Sequence, residues 1–372
     1  MLKLGLLFFT TIYIVVVWWL RKGWSQNPQV PPLVTDLPKV SVIIAARNEA
    51  HQIRRTLEAL CRQTYPAHLM EIIVIDDHST DATSEVVLGV EDPRIQLIQW
   101  NTSEVLNSYK KKAIAEAIAQ CNGEWIVTTD ADCRMHEHWL RRLLAQSMEH
   151  DVHMISGPVV FHEEKSWFER LQSLEFLYLI GLGAAAIGLG KASTCNGANL
   201  AYRKSSFHAV GGFQGIDHLA SGDDELLLHK MEAAFKGGIR FCKDFDAVVY
   251  TEAKPNLKAF IQQRKRWASK STQYRNKALV ILGISIWLFN LFLLIATFYI
   301  FWESSMRYWV LGVWIAKICM EYIYLSPMMT FARRNDLRRL LIPLSILHVI
   351  YMVYIGLAGQ SGKYEWKGRS VR

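Results

Sequence analysis

Two aspartates one residue apart, Asp130 and Asp132, close the short run IVTTDADC from Ile126 to Cys133. On a strand, residues two apart share a side, so both carboxylates could reach one hard cation and a phosphate-bearing ligand where the strand ends. A polar turn closing a buried strand would be written the same way, and the pair gains meaning from its company. Arg47-Asn48-Glu49 follows the run KVSVIIAA, and Asp76 and Asp77 follow Ile72 to Ile75. Asp223 and Asp224 open a helix in SGDDELL, where helix capping is the alternative reading. Lys110, Lys111 and Lys112 open the helix Ala113 to Gln120, either as a solvated face or with one lysine approaching a nucleotide. Gln263-x-x-Arg266-Trp267 offers a guanidinium fork for phosphate and a flat indole for a sugar, or else a basic belt with an interfacial anchor.

The elements that must position these groups read as α/β. KVSVIIAA and Ile72 to Ile75 are β-branched and too short for buried helices, and Ile53, Leu57 and Leu60 mark a helix between them. Strand, polar tip and helix, repeated, put ligand groups at the carboxyl ends of strands in an open sheet. No G-x-G-x-x-G or Walker loop follows the first strand, so a dinucleotide cofactor or ATP held in those ways is not expected. A helix is predicted at Trp139 to Met148 and one strand at His153 to Val160.

Of 372 residues, 51% are hydrophobic and 20% charged, which places part of the chain in a membrane. The net charge is +8, but its basic residues gather beside apolar segments, at Arg21-Lys22, Arg264 to Arg266 and Arg333 to Arg339. That favours lipid headgroups or phosphates as partners, and no nucleic acid. Six cysteines without C-x-x-C spacing indicate neither a zinc site nor a disulfide framework, and fit a reducing compartment.

Residues 1–22 are expected to be a transmembrane anchor rather than a signal peptide, because Leu4 to Leu20 ends in tryptophans and Arg21-Lys22 without a small-residue cleavage site. A proline-rich linker, 23–38, leads to a soluble domain at 39–275. Within it, Ser166 to Gly190 is broken by glycines and carries Glu169 and Glu175, which predicts a pair of interfacial helices at 166–190 rather than a straight span. Residues 276–358 hold about three spans: Ala278 to Trp302, Tyr308 to Leu325, and Leu340 to Leu357 with Pro343 as a kink. Lys317 and Glu321 would pair with each other or line a polar path. The loop Phe331 to Arg339 is basic and so cytoplasmic. Four crossings would then leave the basic tail, 359–372, on the other side, against the positive-inside rule, unless one segment is re-entrant or the count differs.

The order strand-ARNE, IDDHSTD, TDAD, GDDELL, Q-x-x-R-W, with one membrane segment before and several after, resembles the membrane-bound inverting glycosyltransferases of family 2. That group includes cellulose, chitin and hyaluronan synthases and ceramide glucosyltransferase, and the resemblance runs from Lys39 to Trp267. It implies a GT-A fold, a nucleotide-diphospho-sugar donor, with a UDP-sugar expected, and a divalent cation, Mg2+ or Mn2+. It also implies roles. Arg47, Glu49, Asp77, Lys110, Asp130 and Asp223 would meet the nucleotide sugar, Asp77 near the base and Asp130 near the ribose or donor sugar. Asp132, with Asp130, would hold the metal, Asp224 would be the general base, and Gln263, Arg266 and Trp267 would serve the diphosphate and acceptor. The family usually has Glu-Asp before the catalytic helix, whereas Asp223-Asp224 stands here. The expected protein is integral to a membrane, in the bacterial inner membrane, with its catalytic domain facing the cytosol and a lipid or membrane-associated glycan as acceptor. The alternatives are a processive polysaccharide synthase coupled to export, in which a homo-oligomer could supply the channel, and a catalytically silent nucleotide-sugar sensor or membrane scaffold.

Overall fold

The computed structural model describes residues 2–32, 36–100, 108–149, 151–269, 274 and 276–359, and the backbone of 364–366 and 369–371. Lys363, Lys367 and Arg372 of the expected basic tail lie outside the described residues. The chain divides into two units.

The first helix, α1 (Leu2–Gln26), has no internal proline and continues beyond the expected anchor, 1–22, into the first residues of the expected linker. It belongs to a unit of helices that also takes in residues 164–185 and 253–364, whereas residues 26–163, 186–252 and 365–372 form an α/β unit. The α/β unit begins with β1 (Val40–Ala46), α2 (Ile53–Cys61), β2 (Met70–Asp77), α3 (Thr83–Leu88) and β3 (Ile95–Trp100). It continues through α4 (Tyr109–Gln120), β4 (Trp125–Thr128), β5 (Arg134–Met135) and α5 (Trp139–Leu143). Strands β3, β2, β1 and β4 run parallel in that order, and β1 and β2 are apolar almost throughout because both of their faces are covered. Their carboxyl ends therefore come together at one edge of the sheet, with the polar tips after β1, β2 and β4 side by side.

Two local expectations change. The helix from Trp139 shortens to α5 and a 3₁₀ turn, Leu144–Gln146. The strand expected over His153 to Val160 is two, β6 (Met154–Ser156) and β7 (Val159–Phe161), which pair in different sheets because Pro158 interrupts the run and has no N–H to give a ladder.

The longest helix of the middle of the chain is α6 (Trp167–Gly188). A pair of helices was expected there, but the structure has one continuous helix. Its glycines do not break it, since a methyl group at Gly181 would collide with Met328, so at that point close packing uses the missing side chain. Beyond it lie β8 (Leu200–Arg203), α7 (Lys204–Ala209), α8 (Glu225–Ala234), β9 (Ile239–Phe241) and β10 (Val249–Thr251). Strand β8 pairs antiparallel with β4 and β6, β9 joins β6, and β5, β10 and β7 form a second sheet. The helical unit then adds α9 (Leu257–Ser269), α10 (Lys277–Tyr299), α11 (Arg307–Phe331) and α12 (Leu341–Ala358). A short ribbon follows, β11 (Tyr364–Trp366) with β12 (Arg369–Val371). Pro343 falls in the first turn of α12, where no helical hydrogen bond is lost, so the expected kink has no cause.

Among the described residues five helical stretches are long and apolar enough to cross a membrane: α1, α6, α10, and those containing α11 and α12. They differ in cover: 72% of the apolar window of α6 is buried, against 17% for α10, so α6 is wrapped by protein while α10 presents its side chains outward. Within the helical unit Lys3 bonds Ser305 at 3.1 Å, and Trp24 meets Phe331 at 5.5 Å between ring centroids. The start of α1 thus lies beside the α10–α11 turn, and its end beside the end of α11.

Candidate active site

Asp130 and Asp132 lie just past β4, in the turn that leads to β5, and not on the strand itself. A turn frees them from strand alternation, and they engage different groups. Asp130 accepts a hydrogen bond from Lys110 at 3.0 Å, and Asp132 stands 3.4 Å from the hydroxyl of Thr251 on β10. The turn is braced from beneath by Thr56 of α2, whose hydroxyl lies 2.7 Å from the carbonyl of Ala131 and 2.8 Å from that of Cys133.

Lys110, in the first turn of α4, also reaches Asp223 at 3.2 Å. One ammonium therefore joins the strand-end carboxylate to the acidic pair before α8. Burial opposes its charge, but Asp130 and Asp223 outweigh that and hold it above the ordinary lysine range. Asp224 caps α8: its Oδ1 accepts from the N–H of Glu225 at 2.6 Å, and its Oδ2 from the N–H of Gly197 at 3.1 Å. A methyl group at Gly197 would stand 3.5 Å from the Asp223 carboxylate, in ordinary contact with the acidic pair, so the loop before β8 lies directly against it. The carbonyl of Gly197 in turn accepts from Thr128 of β4 at 2.8 Å, which ties the loop before β8 to the strand that carries Asp130.

At the neighbouring strand tips, Arg47 donates to the carbonyls of Asp77 and His78, at 2.9 Å each, and so closes the end of β2 onto that of β1. The backbone N–H of Glu49 donates to Thr83 at 2.9 Å. Asp76 is occupied with the turn it opens, accepting from the N–H of Ser79 at 3.0 Å and from the hydroxyl of Ser84. Asp77 is buried and bonded to the imidazole of His78 at 2.7 Å. His78 holds a left-handed backbone, φ 57°, and meets Trp100 and Tyr109 edge-on at 5.5 and 5.8 Å.

The structure thus gathers Lys110, Asp130, Asp223 and, through Gly197, Asp224, with Asp132 beside Thr251. Gln263, Arg266 and Trp267 belong to the helical unit, on α9. There Arg264, which the sequence reading grouped only with a basic run, is buried against Glu175 of α6, donating from Nε at 3.1 Å and from Nη2. Its guanidinium also lies over the rings of Phe260 and Trp267, at 4.5 and 4.3 Å, and donates to Gln263 at 2.6 Å. Lys111 was likewise read only as one of a run, yet it is buried and bonds the carbonyls of Leu219 and Ser221.

Carboxylates suit a hard divalent cation, and Asp132 and Asp130 offer them. Among the described residues no three His, Cys, Asp or Glu side chains stand together as a ligand set. Two carboxylates fit an ion of the magnesium kind that completes its shell with phosphate oxygens and water.

A model of the glycosyl transferase family 2 matches residues 41–211. The probable glycosyltransferase YdaM of Bacillus subtilis is 29% identical over 260 residues, covering 68% of this chain and 58% of that protein. AglE, a glycosyltransferase of Haloferax volcanii, is 28% identical over 231 residues, covering 60% of this chain and 70% of AglE. The β-monoglucosyldiacylglycerol synthase of Synechocystis is 24% identical over 263 residues, covering 68% of this chain and 53% of the enzyme. The chain thus spans little more than half the length of the first and third of these. Among solved structures, the mannosyltransferase PcManGT of Pyrobaculum calidifontis, in complex with GDP-Man and Mn2+, superposes with a TM-score of 0.61 at 20% identity, over 96% of this chain and 99% of that one. That likeness bears out the GT-A fold expected from the motif order.

Proposed function

We propose that the chain, whose residues 41–211 match the glycosyl transferase family 2 model, is a glycosyltransferase of that family and transfers a sugar, with inversion, from a nucleoside diphosphate sugar to a hydroxyl of a membrane lipid. The observation that carries this reading is the joining of Asp130 and Asp223 by Lys110, with Asp224 anchored beside them on Gly197. One displacement needs a base opposite the departing diphosphate and positive charge beside it. Asp224 takes the proton of the acceptor hydroxyl as that oxygen attacks the anomeric carbon. Its cap to α8 and its bond from Gly197 fix the direction of the carboxylate, so the acceptor and not the base must find the geometry. Lys110 stands where a leaving diphosphate gathers charge and can turn its ammonium from Asp130 toward phosphate. A divalent ion held by Asp132 and Asp130 supplies Lewis-acid stabilisation of that charge when bound. Asp77, at the end of β2, is assigned to the base of the nucleotide.

The lipid acceptor rests on the five apolar helices and on the Synechocystis relative, whose name states a glucosyldiacylglycerol product. In this reading α1, α10 and α11 cross the membrane, and α12 does not, because residues 365–372 after it group with the α/β unit. Helix α6 does not, because β7 before it and β8 after it fold into the same α/β unit, which a span would divide between two sides. Basic groups at 21–22, 264–266 and 333–339 then fall on one side of the membrane, the cytosolic one, and the α10–α11 turn on the other.

The test is release of nucleoside diphosphate from a panel of nucleotide sugars by the protein in lipid nanodiscs, with Mg2+ or Mn2+, and with and without diacylglycerol. Release from one donor, stimulated by the lipid and lost in Asp224→Asn while calorimetric donor binding persists, is expected. Donor binding lost together with turnover in that variant removes Asp224 as the base, and a ladder of products instead of single transfer replaces the reading with processive synthesis.

A further inference from the structure

Three consecutive lysines begin α4 and end in three different surroundings. Lys112 is exposed, Lys110 is half-buried among the carboxylates, and Lys111 is 1% exposed. The helical period explains the difference: Lys111, Ile114 and Ile118 are spaced i, i+3 and i+7, and all three are buried. A lysine on an apolar face is costly unless its ammonium is hydrogen-bonded, and here it meets two backbone carbonyls, those of Leu219 and, at 2.7 Å, Ser221.

Those carbonyls belong to the end of the segment 211–222, whose start is held by its own turns, by Lys230 on the carbonyls of Gly212 and Gln214, and by the buried Phe213 and Ile216, and whose last residues before Gly222 are held by Lys111. It contains four glycines with left-handed backbone, Gly211, Gly212, Gly215 and Gly222, and nothing lies within 4 Å of where a side chain at Gly215 would begin. Such a backbone has many accessible conformations, and one that must end in a fixed direction needs an external hold. Its direction matters because Asp223 and Asp224 come next. Gly222 turns the chain into them with φ 84°. The two neighbouring lysines thus grip one element in two ways, Lys110 by the side chain of Asp223 and Lys111 by the backbone just before it.

We propose that Lys111 is a positioning residue for the acidic pair: by holding the carbonyls of Leu219 and Ser221 it sets the 211–222 segment so that Asp223 and Asp224 face Asp130. The inference rests on the reading of Asp224 as the base. It gives Lys111 no contact with the donor, so its loss acts on the chemical step and the acceptor rather than on nucleotide affinity.

The experiment uses the full chain in nanodiscs and compares Lys111→Met with Lys112→Met, which removes the same charge from the exposed position. Hydrogen exchange of peptides covering 211–222 should quicken in Lys111→Met alone, with exchange of β1, β2 and β4 unchanged. The kcat should fall about 10- to 100-fold, the scale on which small misplacements of reacting groups act, while donor KM moves by less than about threefold. Unchanged exchange in 211–222, or a wild-type kcat, overturns the proposal, as does an equal loss in Lys112→Met. If Lys111→Met does not yield folded protein, Lys111→Gln carries the test: its side chain is one bond shorter, keeps a polar end and falls short of both carbonyls. The same faster exchange and lower kcat are then expected, and wild-type values refute the hold. Exchange is read without turnover, so a protein that consumes no nucleotide sugar refutes the proposed function while the exchange comparison still decides the role of Lys111.

Discussion

Each unit of this chain contains a cluster of opposite charges, and both pair cationic side chains with carboxylates. In the α/β unit Lys110 stands between Asp130 and Asp223, with side chains 25%, 42% and 17% exposed. In the helical unit Lys317 pairs with Glu321 at 1% and 5%, and Arg264 with Glu175 at 2% and 5%. The second cluster is closed as well as buried. Glu321 also receives the hydroxyls of Tyr13 from α1 and Ser345 from α12, and Glu175 that of Tyr351 at 3.4 Å. Its cations and carboxylates balance one to one. The first cluster has one lysine for two carboxylates, with Asp224 and Asp132 near, so it retains negative charge facing solvent. An open, unbalanced cluster has capacity for a cation and a reacting group, whereas a closed, balanced one has been used up in joining helices.

The largest effect that would sharpen this contrast is at the open cluster. Asp224→Asn should lower kcat by about 10²- to 10⁴-fold, the usual worth of a positioned base, and leave the denaturant midpoint unchanged. Lys110→Met should cost about 10²-fold in turnover, as loss of one charge-stabilising donor does, again with little effect on stability. The closed cluster should respond the other way. Lys317→Met leaves Glu321 buried without its nearer cationic partner and should destabilise the protein by about 3–5 kcal/mol, read by unfolding in mild detergent, with the kcat of the remaining folded protein near wild type. Lys317→Met combined with Glu321→Met should recover most of that loss, since a packed apolar pair can replace a buried ion pair. Turnover lost in Lys317→Met at unchanged stability would break the contrast and make the helical cluster functional.

The smallest effect is that of pH at Glu71, which joins β1, β2 and the turn before β4. Burial works to raise its carboxyl, but bonds from Ser41 at 2.5 Å and from Asn122 outweigh this and set it below the ordinary 4.5. Its contribution to stability is therefore present above that value and lost as pH falls through the lower, folded one. The stability difference between wild type and Glu71→Gln should be full at pH 7 and vanish in acid; a difference constant with pH would refute it.

The parallel strands were legible because their two covered faces demand uninterrupted β-branched runs, as in KVSVIIAA. The acidic tips were legible because few other purposes place carboxylates at the ends of three neighbouring strands. The partners of those groups were not. The run Lys110 to Lys112 is one letter repeated, and only the direction in which each Cβ leaves α4 separates a carboxylate partner, a backbone hold and a solvated charge. Helix α6 misled for a related reason: its glycines and Glu175 suggest interruption until Met328 is seen to need the space and Arg264 the charge.

The sequence by itself determined the class of the fold, the apolar helices and the acidic residues on which the chemistry is proposed to rest, because hydrophobic period and residue type are local properties. The tertiary structure decided which lysine meets Asp130 and Asp223, and which one holds the backbone before Asp223. Those outcomes depend on residues scores of positions apart being brought within about 3 Å, the range of a hydrogen bond, and no local pattern records that distance.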